Sequence, residues 1–285
     1  MDQNLVFMQL DSAFAAAIRE LASDNDHPSP VFGSPSQLSI GGVVELACIR
    51  SVCPSWLRTQ LDQWAKSCPV LDKAILCYES GKLPSTVDMW ASRGLEFFPI
   101  RGQNWAADRN YHPFESRFRK AAKEAGFGNK ADGLTGALFE MADNVAQHSG
   151  SNCSCPAPGL IGYYVCDGHV AFAIGDLGRG VLASLKENPA WTALPNSKAA
   201  LMAVITNYAS RRPHGGEGEG FKEVFRSLTN LNGMVELRSH DGRVKVVQVP
   251  AGREAAPQFT GALPGLQLSV NCSLKGPPGE RCFSG

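Results

Sequence analysis

The stretch that decides the fold is Ile161-Gly-Tyr-Tyr-Val-Cys-Asp-Gly-His-Val-Ala-Phe-Ala-Ile174. Two runs of mostly apolar residues flank the pair Asp167-Gly168. An Asp-Gly pair suits a two-residue turn with positive φ, and such turns join antiparallel strands. The stretch therefore predicts a β-hairpin, whose second strand leads directly to Asp176.

Strands and helices alternate around this hairpin in the C-terminal part of the chain. Apolar residues at helical spacing predict helices, one of them basic, over residues 114–125, 134–147 and 221–231. Three further strands are predicted, with a turn at Asp241-Gly242 between the first two, over residues 234–238, 244–249 and 266–274. This pattern predicts an α+β fold in which a mixed, largely antiparallel sheet carries helices on one face. We assign residues 106–276 to this domain and residues 277–285 to a tail.

The N-terminal part of the chain has a different pattern. Short apolar runs predict three strands separated by two helices, over residues 43–49, 55–66, 73–78, 85–92 and 95–98. Such alternation is typical of a small parallel α/β domain, which we place at residues 1–105. Before it, the sequence predicts a helix over residues 10–21 and a Ser/Pro/Gly-rich linker over 23–36. No motif assigns an activity to this domain.

The composition argues against several classes of function. The chain has 285 residues, with 27 lysines and arginines and 27 acidic residues, so no excess charge favours nucleic acid or an anionic membrane. Hydrophobic residues make up 44% of the chain, which is enough for a real core. We find no apolar run that could span a bilayer and no signal-peptide pattern. The nine scattered cysteines suit a reducing compartment, so we expect a cytoplasmic protein.

The first of three motifs with candidate chemistry is Glu140-Met-Ala-Asp-Asn144-Val-Ala-Gln-His148. Glu140, Asn144 and His148 recur every four residues, so their side chains line one edge of the predicted helix. A carboxylate there can orient or deprotonate a water or hydroxyl, and an amide oxygen is a hard ligand suited to Mg²⁺. Alone, this stripe is also typical of a solvated helix face.

The second motif is Asp176-Leu-Gly178-Arg-Gly180. A carboxylate at a strand end can accept a hydrogen bond from an adenine amino group, and the glycines let the backbone approach a ring without a clash from Cβ. Alone, the motif is equally compatible with an ordinary turn.

The third motif, Gly215-Gly216-Glu-Gly218-Glu-Gly220, runs directly into the helix predicted from Phe221. Glycine-rich backbone at a helix N-terminus presents free amides and the positive end of the helix dipole to an anion. The alternative is a flexible hinge, and the two glutamates would have to point away from a bound phosphate.

The order and spacing of these motifs resemble the histidine-kinase-like ATPases, the superfamily of the gyrase, heat-shock chaperone, histidine-kinase and mismatch-repair ATP sites. The resemblance covers roughly residues 115–275 and implies a Bergerat-type α/β sandwich. It implies that Glu140 activates or orients water, that Asn144 is a ligand of Mg²⁺, and that Asp176 recognises adenine together with the glycines. Two further features carry the resemblance: Gly233 ahead of a strand, and Ala262-Leu-Pro-Gly265 before the last strand.

The chain most resembles the stand-alone members that are similar to anti-sigma-factor serine kinases. In these, a lid segment such as residues 195–208 leads into a basic stretch, which implies that Arg211 or Arg212 meets the phosphates alongside Gly216, Gly218 and Gly220. The chain departs from the wider family at Gln147, where many histidine kinases have a basic residue, and at Leu266, which replaces a threonine. It also lacks a pattern for a phospho-acceptor histidine, so autokinase activity is not expected.

These features support two hypotheses. In the first, the protein binds Mg-ATP and either hydrolyses it slowly or transfers the γ-phosphoryl group to a protein partner in signalling. In the second, ATP binding changes an interaction surface without turnover. Both imply ATP and Mg²⁺ as ligands and a protein partner, and both are compatible with a homodimer. A third interpretation is a globular α/β protein in which the motifs are coincidental.

Overall fold

The structure, a computed structural model, describes residues 8–10, 35–83, 94–102, 104–148, 158–211, 219–228, 231–249, 252–275 and 283–284. Three short strands form a small sheet, in which β1 (Met8–Leu10) pairs in parallel with β2 (Pro35–Leu38), and β2 pairs antiparallel with β8 (Phe283–Ser284). The central sheet is open and has five strands, namely β3 (Leu95–Ile100), β4 (Gly159–Cys166), β5 (His169–Asp176), β6 (Asn232–Val249) and β7 (Gly252–Ser273). They lie in the order β3-β4-β5-β7-β6, and every neighbouring pair is antiparallel.

The helices are α1 (Ile40–Ile49), α2 (Ser55–Ser67), α3 (Pro69–Ser80), α4 (Tyr111–Ala122), α5 (Lys130–His148), α6 (Gly180–Leu185), α7 (Ser197–Asn207) and α8 (Glu219–Leu228). Helices and an antiparallel sheet in one chain confirm the α+β prediction. The helices predicted over residues 55–66, 114–125, 134–147 and 221–231 are also confirmed, as α2, α4, α5 and α8. None of the helices in the described part of the chain is both long and apolar enough to cross a membrane.

The hairpin of β4 and β5 confirms the prediction made from Asp167-Gly168. The two strands pair without a register shift from Gly159 opposite Asp176 to Cys166 opposite His169. Gly168 has φ +65°, a conformation that glycine adopts without steric cost, so the turn closes in two residues. The pairing leaves Asp176 at the last position of β5.

Each face of the central sheet has its own hydrophobic core. Phe172 and Ile174 of β5 face a core shared with α4, α5, α7 and α8. Ala171 and Ala173 of the same strand face a second core, shared with α1, α2 and α3. Alternate residues of a strand point to opposite faces, so helices cover both faces of the sheet. The expectation of helices on one face only was wrong.

The second helical layer includes two segments that the sequence predicted to be strands. Residues 43–49 belong to α1, which begins at the N-cap Ser39, whose hydroxyl accepts the Gly42 N–H at 3.1 Å. Nine of the ten residues of α1 are buried, so its apolar run has no polar face to reveal a helical period. Residues 73–78 belong to α3, which has a proline in its first turn and ends at Gly81 in the left-handed conformation.

A buried ionic network joins this helical layer to the sheet. The guanidinium of Arg238 on β6 pairs with Glu45 of α1 and with Glu236 of its own strand, and all three side chains are almost completely buried. Arg243 donates a further hydrogen bond of 3.0 Å to Glu236. Because two carboxylates face two guanidiniums, the charges of the network balance.

The strands at both edges of the sheet differ from the predictions. The segments 234–238 and 244–249 are one long strand, β6, whose pairing with β7 shifts register around His240 instead of turning at Asp241-Gly242. Residues 95–98 do form a strand, β3, but it pairs antiparallel with β4 in the central sheet. The predicted helix over 85–92 lies outside the described residues. So does the predicted linker over 23–36, except for Pro35 and Ser36, which belong to β2, and the predicted helix over 10–21, except for Leu10, which belongs to β1.

Candidate functional site

Helix α5 carries the first motif and has one buried and one polar side. Leu134, Leu138, Met141 and Val145 are buried, which confirms the predicted core stripe. Glu140 is exposed on the other side, and Asn144 is half-buried with its Nδ2 3.8 Å from the Met141 sulfur. The helix therefore presents a carboxylate and, one turn later, an amide.

An aromatic contact that sequence reasoning missed fixes the polar side of α5. The indole N–H of Trp105 donates a hydrogen bond of 2.7 Å to Asp143, the residue before Asn144. Trp105 also stacks on Phe139 of the same helix, with ring centroids 6.0 Å apart. Only the polarity of Asp143 within the motif could have signalled this contact, because Trp105 lies far away in the sequence.

Asp176 occupies the end of β5 and is only 3% exposed. Its Oδ1 accepts a hydrogen bond of 2.6 Å from the Gly178 N–H, and its carboxylate also accepts one from the backbone N–H of Leu266. Burial raises the pKa of this carboxyl to about 7, although the two backbone donors act in the opposite direction. A carboxylate has about four lone-pair sites, so these donors leave capacity for another.

The C-terminal turn of α5 lies beside Asp176. Gly159, directly opposite Asp176 on β4, approaches the helix so closely that a Cβ at this position would lie 2.7 Å from Val145 Cγ1. Asn144 precedes Val145, so the helix turn that carries Asn144 packs on the face of the sheet toward which Asp176 points. The structure therefore packs the helix of the first motif against the strand that ends in the second.

The segment that ends at Gly265 packs directly on Asp176. Gly265 has φ +90°, and a Cβ at this position would overlap the Asp176 carbonyl oxygen and lie 2.7 Å from Leu177 Cα. Both the backbone conformation and the close approach require glycine. Next along β7, the N–H of Leu266 reaches the Asp176 carboxylate, although the leucine side chain replaces the hydroxyl expected from the resemblance.

The two glycines of the second motif have different roles. Gly178 supplies the N–H that holds Asp176, whereas Gly180 has φ +73° and begins α6. A Cβ at Gly180 would lie 2.6 Å from His240, so the loop packs tightly on β6. The Ser239 hydroxyl accepts the Val181 N–H at 2.9 Å and donates to the Gly265 carbonyl at 3.0 Å. This hydroxyl joins the loop to β6 and β7.

Arg211 lies in a cluster with two residues that sequence reasoning missed. The carboxylate of Glu187 pairs with the guanidinium of Arg179, inside the second motif, and with that of Arg211 at 3.2 Å. The hydrogen bond from Arg179 is the main reason why the pKa of Glu187 is lowered, with further contributions from Arg211. The neighbouring Asn188 donates a hydrogen bond of 2.9 Å to the Ser210 carbonyl. Glu187 and Asn188 thus hold residues 210–211 near the second motif.

Most of the third motif, including Gly216 and Gly218, lies outside the described residues, and so does Arg212. Gly220 lies in the first turn of α8, which confirms that the glycine-rich segment leads into a helix. Helix α8 packs against α5, and Lys222 in its first turn lies 5.6 Å from the centre of the Tyr208 ring. The third motif therefore ends in a helix that contacts the helix of the first.

No group of three or more His, Cys, Asp or Glu residues that could hold a metal ion occurs among the described residues. The chain matches no protein-family model, and no curated protein sequence matches it at a significant level. Assignment of the site therefore depends on the motif order and on the contacts around Asp176.

Proposed function

We propose that the protein binds Mg-ATP in a Bergerat-type fold of the histidine-kinase-like kind, and that it hydrolyses ATP slowly or phosphorylates a protein partner. The observation that carries the proposal is the position of Asp176. Its buried carboxylate ends a central strand beside the helix that carries Glu140 and Asn144. Backbone amides from two separate segments hold this carboxylate in place.

Asp176 suits the recognition of a base better than it suits contact with phosphate. A carboxylate is an acceptor, so it matches the adenine amino group and repels phosphate oxygens. Its burial makes the interaction selective, because a base that places an acceptor there would leave two acceptors facing each other. Glycine at positions 178 and 180 leaves the adjoining backbone without side chains.

Asn144 and the third motif would hold the other end of the nucleotide. Asn144 would be a protein ligand of Mg²⁺, which binds mainly through phosphates and water and would neutralise their charge. The amides around Gly216, Gly218 and Gly220 would face the phosphates. Glu140 is exposed on the same helix, one turn before Asn144, and would orient the attacking water or hydroxyl.

Calorimetric titration with Mg-ATP tests the proposal. We expect Asp176→Asn to abolish binding, because the amide places a donor opposite the adenine amino group. We expect Glu140→Ala to bind normally and to lose turnover. Asp167→Asn is the matched control, since Asp167 lies exposed in the hairpin turn at the other end of β5. Wild-type affinity in Asp176→Asn would contradict the assignment of adenine to this residue.

A second candidate is a nucleotide-dependent interaction module that does not turn ATP over. The pairing of Arg211 with Glu187 supports it, because triphosphate oxygens are strong competitors for a guanidinium. Exchange of one anion for another would move residues 210–211, which precede the glycine-rich segment. Release of labelled phosphate, or its transfer to a partner, favours the enzyme, whereas tight Mg-ATP binding with neither favours the module.

A further inference from the structure

The side chain of Gln267 holds Asp176 from the opposite face of the central sheet. Gln267 follows Leu266 on β7 and is 7% exposed. Its Nε2 donates a hydrogen bond of 3.3 Å to the main-chain carbonyl of Asp176. Three consecutive residues of β7 therefore act on one residue of β5: Gly265 packs on it, Leu266 donates to its carboxylate and Gln267 donates to its carbonyl.

The amide of Gln267 has little freedom to turn. It lies across Gly175, its partner on β5, where a Cβ would overlap Oε1 and lie 2.7 Å from Nε2. Behind it, the buried Cys48 of α1 forms a hydrogen bond with the Gln267 side chain. Burial raises the pKa of the Cys48 thiol, and the hydrogen bond from Gln267 acts in the opposite direction. The Gln267 side chain therefore contacts Cys48 of α1 and donates to the Asp176 carbonyl at the end of β5.

We propose that Gln267 is a positioning residue that fixes the Asp176 peptide and thereby sets the selectivity of the site for adenine. Gln267 acts through the peptide that joins β5 to the Asp176–Gly178 turn and does not itself touch the nucleotide. It also links this turn to α1, on the face of the sheet away from α5. The effect on selectivity for adenine rests on the proposed function, whereas the positioning of Asp176 by Gln267 does not.

Gln267→Met tests this role, because methionine keeps the side-chain length over Gly175 but cannot donate to the Asp176 carbonyl. Ser269→Ala is the control, since Ser269 lies two residues along on the same face of β7 and is equally buried. We expect the ratio of ATP to GTP affinity to fall about tenfold in Gln267→Met and to stay unchanged in the control. GTP carries the same phosphates, so only contacts to the base change this ratio. A wild-type ratio in Gln267→Met would overturn the effect on selectivity.

Amide hydrogen exchange by NMR, without nucleotide, tests the positioning itself. The Gly178 N–H reports on its hydrogen bond to Asp176, and the Phe172 N–H in the middle of β5 reports on the whole sheet. We expect Gln267→Met to speed exchange at Gly178 about tenfold and to leave Phe172 unchanged. Unchanged exchange at Gly178, or equal acceleration at both amides, would overturn the positioning role. If the wild type binds no ATP, the proposed function fails, and this exchange experiment still decides the role of Gln267.

Discussion

Gly265 and Asp176 are in such close contact that no side chain fits between their backbones. The left-handed conformation of Gly265, with φ +90°, points its missing Cβ directly at the Asp176 carbonyl. The sequence Pro264-Gly265 thus determines where β7 begins to follow β5. This contact also sets the position of Leu266, whose N–H holds the carboxylate.

We expect Gly265→Ala to lower the free energy of unfolding by about 3 kcal/mol or more, because backbone atoms on both sides must move. Gly102→Ala is the matched control, since Gly102 also has positive φ but, among the described residues other than its chain neighbours, no atom lies within 4 Å of its Cβ position. We expect the control to lose only about 1 kcal/mol, the cost of the backbone conformation. Urea denaturation measures both, and equal losses would show that the contact with Asp176 is unimportant.

The raised pKa of Asp176 makes stability depend on pH. Burial raises this pKa from 3.8 to about 7, so between these values the folded protein holds a proton that the unfolded chain has released. Stability therefore falls as the pH rises from 4 to 7. Asp176→Asn removes this dependence. We therefore expect the effect of the substitution on the free energy of unfolding to be more favourable at pH 8 than at pH 5, by an amount on the order of 3 kcal/mol. Denaturation of both proteins at the two pH values measures this difference.

The same ionisation should control binding of the base. Only the ionised carboxylate can accept the adenine amino group in addition to its two backbone donors without presenting a proton, so we expect ATP affinity to weaken as the pH falls below about 7. Calorimetry between pH 5.5 and 8.5 measures the midpoint. Asp167→Asn should show the same midpoint as the wild type. A flat profile would mean that Asp176 does not contact the base.

Removal of Arg238 should strongly destabilise the fold. Arg238→Met leaves the buried carboxylates of Glu45 and Glu236 with a single guanidinium, that of Arg243, which pairs with Glu236. We expect the free energy of unfolding to fall by about 3–5 kcal/mol. Lys120→Met provides the contrast, because Lys120 and its partner Glu124 are both well exposed, and its stability should stay close to that of the wild type. Thermal and urea denaturation compare the two variants.

Glu187→Gln should increase the affinity for ATP. The glutamine leaves Arg179 and Arg211 without the carboxylate that they share, so phosphate oxygens become the better partner for Arg211. We expect ATP to bind about threefold more tightly at low salt, with a smaller gain at high salt. Glu115→Gln removes an ion pair with Arg119 on α4 and serves as the control. Weaker binding in Glu187→Gln would mean that Glu187 positions the arginines for the ligand.

Local sequence signals predicted the parts of the fold that depend on neighbouring residues. Asp167-Gly168 predicted the hairpin because a two-residue turn specifies its own geometry, and α5 was predicted because one side is polar and the other buried. Helices α1 and α3 were predicted as strands. Helix α1 is buried on nearly every side. The apolar run within α3 includes neither the proline with which the helix begins nor the glycine that follows its end. Such runs do not distinguish a buried helix from a buried strand.

The candidate site likewise combines residues that have a local sequence signal with residues that have none. The position of Asp176 at a strand end followed from the apolar run before it, and the structure places it beside α5. Trp105, Glu187 and Gln267 have no comparable local signal, because the packing of other segments brings them to the site. The register of β5 against β7, for example, depends on the whole sheet.

The helical layer on the second face has a practical consequence for dissecting the protein. A fragment of residues 106–276 would lack β3 as well as α1–α3, and it would uncover Leu160, Ala171 and Ala173. It would also leave Arg238 with Glu236 but without Glu45. The backbone amides of β4 would be open to pairing with another molecule. We expect such a fragment to precipitate or oligomerise on expression, so nucleotide binding is best assayed on the whole chain.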